Sequence, residues 1–224
     1  MRAYALWFVA VLLSALCAFA YISVEERSMV QRTANESAES SDEGPIASLG
    51  RANAWLNSQP LSAADFRGKV VLVDFWTYTC INWRRTLPYL RAWSQKYADQ
   101  GLIVVGVHTP EFSFERDAGN VARVASAQKV DYPIAIDSDY AIWNGFSNRY
   151  WPAVYVIDAQ GRIRHQQFGE ANYEQLEGVV QKLLAEAGHK DFDPALISGE
   201  GQGAELAADW PNPRTPETYV LIGT

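Results

Sequence analysis

Cys80 ends the run Val73-Asp74-Phe75-Trp76-Thr77-Tyr78-Thr79-Cys80, where an apolar stretch gives way to a helical one. A thiol at a helix start faces unpaired backbone N–H groups and the positive end of the helix dipole, and both favour the thiolate. Arg84, one turn further on, is expected to add positive charge on the same side. Lowering a thiol pKa from about 8.5 to about 6.5 raises the thiolate fraction at pH 7 from roughly 3% to roughly 75%. Such a thiolate attacks disulfides or peroxides. The plainer reading, an inert buried cysteine, fits a strand–Cys–helix junction less well. His108 and Glu111 follow a second apolar run and are placed at the same edge, where they could tune or protonate the thiol. A strand-end histidine with no such role is the bland alternative.

The remaining residues exclude other chemistries. The only other cysteine is Cys17, within an apolar run, where it reads as a small buried residue. Two cysteines make neither a disulfide scaffold nor a tetracysteine zinc site. His165 and His189 have no ligand spacing and read as surface residues. No Gly-rich strand-to-helix turn is present to cradle phosphate, and no cofactor is expected. The formal charge of −7 over 224 residues offers no broad basic face to nucleic acid.

The elements that must position Cys80 are readable from periodicity. Val70 to Val73 is β-branched and continuous, as in a strand buried on both faces. A helix follows Cys80, with apolar residues at Trp83, Leu87, Leu90 and Tyr97, and ends before Gly101. Leu102 to Val107 is a second buried strand, so residues 70–107 predict a parallel βαβ unit. A helix is expected over Ser113–Gln128 and a short strand over Pro133–Ile136. Ala153–Ile157 and Ile163–Phe168 flank Asp158-Ala159-Gln160-Gly161 as a hairpin. Asn172 is expected to cap the last helix, with Gln175 completing a capping box. Leu176, Val179, Val180, Leu183 and Leu184 form its apolar stripe, and Gly188 ends it.

This order, an α/β fold with a central mixed sheet flanked by helices, is that of a thioredoxin. Asp74-Phe75-Trp76 before Cys80, with Pro88 beyond it, resembles the thioredoxin active-site stretch. Trp151-Pro152-Ala153 resembles the cis-proline loop. The chain is more similar to membrane-tethered thioredoxin-like proteins of the TlpA/ResA type. It is most similar to the thioredoxin domain of DipZ-like proteins, through Phe75-Trp76-Thr77-Tyr78-Thr79-Cys80-Ile81-Asn82 and Gly106-Val107-His108-Thr109-Pro110-Glu111-Phe112. The resemblance spans roughly residues 51–187. Thr215-Pro216-Glu217-Thr218-Tyr219 matches the segment that precedes a further module in DipZ-like proteins, and that module is expected to be missing.

One departure governs the chemistry the resemblance implies. The family motif Cys-x-x-Cys reads Cys80-Ile81-Asn82-Trp83 here, and Trp83 cannot resolve a mixed disulfide. Cys80 is therefore expected to work alone, with an external thiol releasing its adducts. Trp151 and Pro152 would offer backbone groups to an extended client. Asp74 matches the buried acid that serves the resolving thiol, and without that thiol a structural role is expected. Trp76 and Trp83 are read as covering the site or packing the core. Two further readings stay open: a redox-inactive client-binding or chaperone module using Trp76, Trp83 and Trp151 as its apolar surface, and a one-cysteine peroxidase. Thr77, three residues before Cys80, resembles the Thr-x-x-Cys of peroxiredoxins, though Val73 stands where their proline would be.

Residues 3–24 form an apolar stretch covering roughly 33 Å as a helix, enough to cross a bilayer core of about 30 Å. Arg2 precedes it and Glu25 and Glu26 follow, which would leave the rest outside the cytoplasm of a bacterial inner membrane. The alternative is a signal peptide cleaved near Ala20. Residues 25–45, rich in acidic and small polar side chains, are expected to form a flexible tether. The globular domain is placed at 46–188 and an irregular tail at 189–224. Expected partners are thiol- or disulfide-bearing protein clients, a thiol reductant and the membrane.

Overall fold

The strand β2 (Val70–Trp76) is buried at every position, because its β-branched and aromatic side chains feed two cores at once. The computed structural model describes residues 44–208. Its sheet runs β1-β4-β3-β2-β5-β6, with β1 Ala54–Leu56, β3 Leu102–His108, β4 Ile134–Ile136, β5 Ala153–Ile157 and β6 Ile163–Phe168. The helices are α1 (Ile81–Lys96), α2 (Ala118–Ala127), α3 (Ala141–Gly145) and α4 (Tyr173–Glu186). On one face Val70, Leu72 and Trp76 meet Trp83, Leu87, Leu90 and Trp93 of α1 and Leu176, Val180, Leu183 and Leu184 of α4. On the other, Val71, Val73 and Phe75 meet Ile46, Leu49, Phe66, Ile142 and Phe146. This is a thioredoxin-like α/β fold.

The register of β2 places the site. β2 and β3 are parallel from Val70↔Leu102 to Trp76↔His108, so the segments leaving both strands emerge at one edge. β5 is antiparallel to β2, with Phe75 opposite Ala153, so the residues entering β5 arrive at that edge too. Cys80, the loop after His108 and Trp151-Pro152 are thereby gathered from three parts of the chain.

Several local expectations are corrected. The helix expected over 113–128 is broken: a 3-10 turn, Ser113–Arg116, stops at Asp117. The Asp117 side chain accepts a hydrogen bond from Asn120 N–H and starts α2 afresh. Asn172 stands at the N-cap of α4 in a left-handed conformation, with φ 53°, and its side chain makes no cap bond, so the capping box is not formed. The turns Gly44–Arg51 and Ala63–Phe66, strand β1 and helix α3 had no periodic signal and were not expected. The hairpin forms over the residues expected, with Asp158 accepting from the N–H groups of Gln160 and Arg162.

Residues 189–208 are irregular apart from a 3-10 turn yet lie on the domain, with Phe192 and Ile197 against the core under α1 and α4. The apolar stretch 3–24 with Cys17 and Ala20, residues 25–43 of the tether, and residues 215–219 lie outside the described residues. Among the described residues no helix is long and apolar enough to cross a membrane.

Candidate active site

Cys80 is half-buried at the N-cap of α1, and its N–H bonds Thr77 O at 3.1 Å to close the turn that leaves β2. Burial pushes its thiol above the ordinary value. The backbone N–H groups of Trp83 and Asn82 pull the other way, and the charges of Glu111 and Asp74 oppose ionisation. The low pKa expected from the helix start is thus corrected: burial outweighs the N–H groups. Arg84 is half-buried, and its Nε has no hydrogen-bond partner among the described residues.

Trp83 occupies the place of a resolving cysteine. It is fully buried, stacks on Trp76 with ring centroids 4.1 Å apart, and donates its indole N–H to Asp74 Oδ2 at 2.9 Å. Asp74 is fully buried, and burial lifts its carboxyl to about 7 against the pull of that bond. Asp74 Oδ1, Trp76 Nε1 and the Tyr132 hydroxyl are buried without partners among the described residues. The Trp76 indole fits only because Gly106, opposite Asp74 on β3, lacks a side chain; a Cβ there would sit 2.9 Å from Trp76 Nε1. With no exposed surface, Trp76 and Trp83 cannot furnish the apolar binding face considered for them.

His108 lies 1% exposed between the edge of Trp76 (4.7 Å) and the face of Tyr78 (5.6 Å). Burial lowers its pKa to about 4, so it is neutral at pH 7 and does not protonate the thiol as an imidazolium. Thr77 is buried, and its hydroxyl makes no hydrogen bond to the Cys80 sulfur. The Trp151–Pro152 peptide is cis, as the resemblance implied. Trp151 packs on Trp143 and donates its indole N–H to Thr109 O at 3.1 Å, while the Pro152 carbonyl accepts from Gly169 N–H at 2.8 Å. The side chain of Asn82 is tied to Arg85, which pairs with Glu170 at 2.7 Å across to the loop before α4.

Glu115 escaped the sequence reading. Its carboxylate is fully buried and accepts from Thr79 Oγ1 (2.7 Å) and Thr79 N–H (3.4 Å) through one oxygen. The other oxygen accepts from the N–H groups of Glu111 (2.7 Å) and Phe112 (2.9 Å). It therefore fastens the loop after β3 to the residue beside Cys80. The only sequence signal was an acid three residues after Phe112.

Comparison with known proteins agrees with this geometry. Residues 51–166 match the AhpC/TSA family. The chain belongs to that family. Within it, the chain is 45% identical over 174 residues to Protein DipZ of Mycobacterium tuberculosis, covering 75% of this chain and 24% of DipZ. It thus spans about a quarter of the length of that relative. It is 35% identical over 142 residues to the thiol-disulfide oxidoreductase YkuV of Bacillus subtilis, covering 63% of this chain and 95% of YkuV. A solved thioredoxin-like protein in its oxidised form superposes with a TM-score of 0.58 at 35% identity, over 64% of this chain and 96% of that one.

Proposed function

We propose that this AhpC/TSA family member is a thiol–disulfide oxidoreductase that exchanges through Cys80 alone. The Cys80 thiolate attacks a client disulfide, forming an Sγ–S bond while the client S–S bond breaks and its second sulfur leaves as a thiolate. An external thiolate then attacks Sγ, releasing the client sulfur, and a second displaces the first as a disulfide and restores Cys80. The client is reduced by two electrons and two external thiols are oxidised to one disulfide. Each step is reversible. The observation that carries the reading is Trp83 packed, stacked and hydrogen-bonded in the resolving position beside a half-buried Cys80. The Trp151 backbone is the groove element left to meet an extended client, since the Pro152 carbonyl is already engaged. Asp74 and Trp83 act on geometry and pKa rather than by proton transfer to a second thiol.

The apolar stretch 3–24, Arg2 before it and Glu25 and Glu26 after it support an extracytoplasmic, membrane-tethered protein. The buried Thr77 hydroxyl and the raised thiol speak against the peroxidase reading. The test is intact-mass analysis of the full chain carrying Cys17→Ser, which leaves Cys80 as its one thiol, after a brief excess of disulfide. The expected result is one adduct that survives removal of the disulfide and disappears only on adding a thiol such as glutathione. The Cys80→Ser variant should give none. An adduct lost without added thiol, or one retained in Cys80→Ser, would overturn single-cysteine exchange.

A further inference from the structure

The loop at 110–116 carries an exposed aromatic pair tied to the cysteine loop. Phe112 and Phe114 are 40% and 55% exposed, and their rings lie parallel, 4° from coplanar, with centroids 5.5 Å apart. Exposed aromatics normally scatter; a stacked pair on a loop adds up to an apolar patch of the kind that meets a partner. Three ties hold this patch to the cysteine loop. Glu115 bonds Thr79 on one side and the Glu111 and Phe112 N–H groups on the other. Tyr78 OH donates to Phe114 O at 3.2 Å, and its ring lies against Phe114 at 6.3 Å. The exposed Glu111 is close enough for its charge to act on the Cys80 thiol. Ile81, the residue after Cys80, extends the apolar surface at 45% exposure.

We propose that this loop selects the client: Phe112 and Phe114 receive an apolar side chain, and Glu111 a basic one, flanking the cysteine of a polypeptide that exchanges at Cys80. Anionic thiols and acidic segments are disfavoured by the same carboxylate, so the loop chooses by repulsion as well as attraction. Glu115 is a positioning residue, since its buried carboxylate fixes where Glu111 and the aromatic pair stand relative to Cys80. The proposal rests on the single-cysteine reading for its reaction and on the loop alone for its recognition.

The test has two arms on the full chain carrying Cys17→Ser, so that Cys80 is its one thiol. In the first, Cys80 meets three small disulfides differing in charge: cystamine (cationic), hydroxyethyl disulfide (neutral) and dithiodipropionate (anionic). In each, the Cys80 thiolate forms one Sγ–S bond and half of the reagent leaves as a thiolate. Cystamine should react faster than dithiodipropionate, by roughly tenfold at low salt, and this ratio should fall at least about threefold in Glu111→Gln or at high salt. A ratio unchanged in Glu111→Gln overturns the charge assignment. In the second arm, Cys80→Ser is titrated by fluorescence anisotropy with labelled peptides whose central serine is flanked by Lys and Phe, or by Glu and Ala. The Lys/Phe peptide should bind about tenfold tighter or more, and Phe112→Ala/Phe114→Ala should remove most of that preference. Equal binding of the two peptides overturns the proposal. If wild-type Cys80 is inert even to hydroxyethyl disulfide, the exchange reading fails, and the peptide arm still decides the role of the loop.

Discussion

At the scale of single residues, Asp74 and His108 set opposing pH dependences that cancel. Asp74 has its carboxyl raised from 3.8 to about 7, so between those values the folded protein holds a proton that the unfolded chain has lost. Its contribution is full at low pH and is lost as pH rises through about 7, about 4 kcal/mol in all. His108 is lowered from 6.5 to about 4, so there the unfolded chain holds the extra proton. That contribution is full above about 6.5 and is lost as pH falls towards 4, about 3 kcal/mol in all. Between pH 4 and 6.5 the two slopes offset each other. Asp74→Asn, which can still accept from Trp83, should therefore gain a slope of about +1.4 kcal/mol per pH unit relative to wild type, and His108→Gln a slope of opposite sign. Urea melts of the three proteins at several pH values check this, and parallel curves would show that neither group titrates as its burial demands. The thiol follows the same logic: alkylation of Cys80 should keep rising, close to tenfold per pH unit, up to and beyond its ordinary value near 8.5. A plateau near pH 7 would mean the helix start outweighs burial after all.

At the scale of elements, the junction of β2, α1 and β3 depends on one indole stack. Trp83→Phe keeps most of the ring area but leaves Asp74 Oδ2 without its donor, so thermal melts should show a loss of about 1–3 kcal/mol. Gly106→Ala should cost a similar about 1–3 kcal/mol by displacing the Trp76 indole, with a changed near-ultraviolet dichroism as its signature. A Gly106→Ala protein with wild-type stability would mean the stack shifts at no cost. These elements were legible in the sequence because each carries a period or a run. β2 and β3 showed as continuous β-branched stretches, α1 by its apolar spacing after Cys80, and the hairpin by its turn residues. β1 and α3 are three and five residues long, too short for a period, and are held by pairing with β4 and by packing on Phe75. The break at Asp117 was hidden because apolar spacing runs on across it while the cap that restarts the helix is a single side chain. Within the site, Cys80 and Trp83 could be read from residue type and order, and the cis proline from the family resemblance alone. Glu115 and the Phe112–Phe114 stack could not, because their meaning lies in which loop the β2–β3 register sets opposite Thr79.

At the scale of the whole molecule, residues 189–208, the described part of the irregular segment after Gly188, belong to the folded domain. Nothing in its glycines and prolines predicts a period, and it is held instead by isolated contacts. Ile197 N–H donates to the buried Glu177 carboxylate at 2.7 Å, which also accepts from Tyr97 OH at 2.6 Å and Lys96 at 3.2 Å. Phe192 meets the Tyr97 ring edge-on at 5.6 Å, and Gly199 passes so close to Tyr89 that a Cβ would clash at 2.3 Å. Glu205 forms a two-pronged ion pair with Arg91 at 2.8 and 2.9 Å, both side chains mostly shielded. The segment thus straps the far half of α1, the helix whose first turn faces Cys80, to α4. Ending the chain at Gly188 exposes Phe192's and Ile197's packing partners and strips Glu177 of one donor. With about 1 kcal/mol for each lost bond or partly buried side chain, the total is about 2–5 kcal/mol. At about 2–4 °C per kcal/mol for a chain of this size, the melting temperature should fall by roughly 5–15 °C. Glu205→Ala alone should account for about 1 kcal/mol of that, since the pair is shielded and its geometry bidentate. The Cys80 adduct should still form in the shortened protein below its melting temperature, because the turn at Thr77–Cys80 is built by β2 and Glu115 rather than by the strap. A shortened protein that melts with wild-type stability would mean the strap only rests on the surface. One that loses Cys80 reactivity while still folded would mean that the far end of α1 sets the position of its first turn.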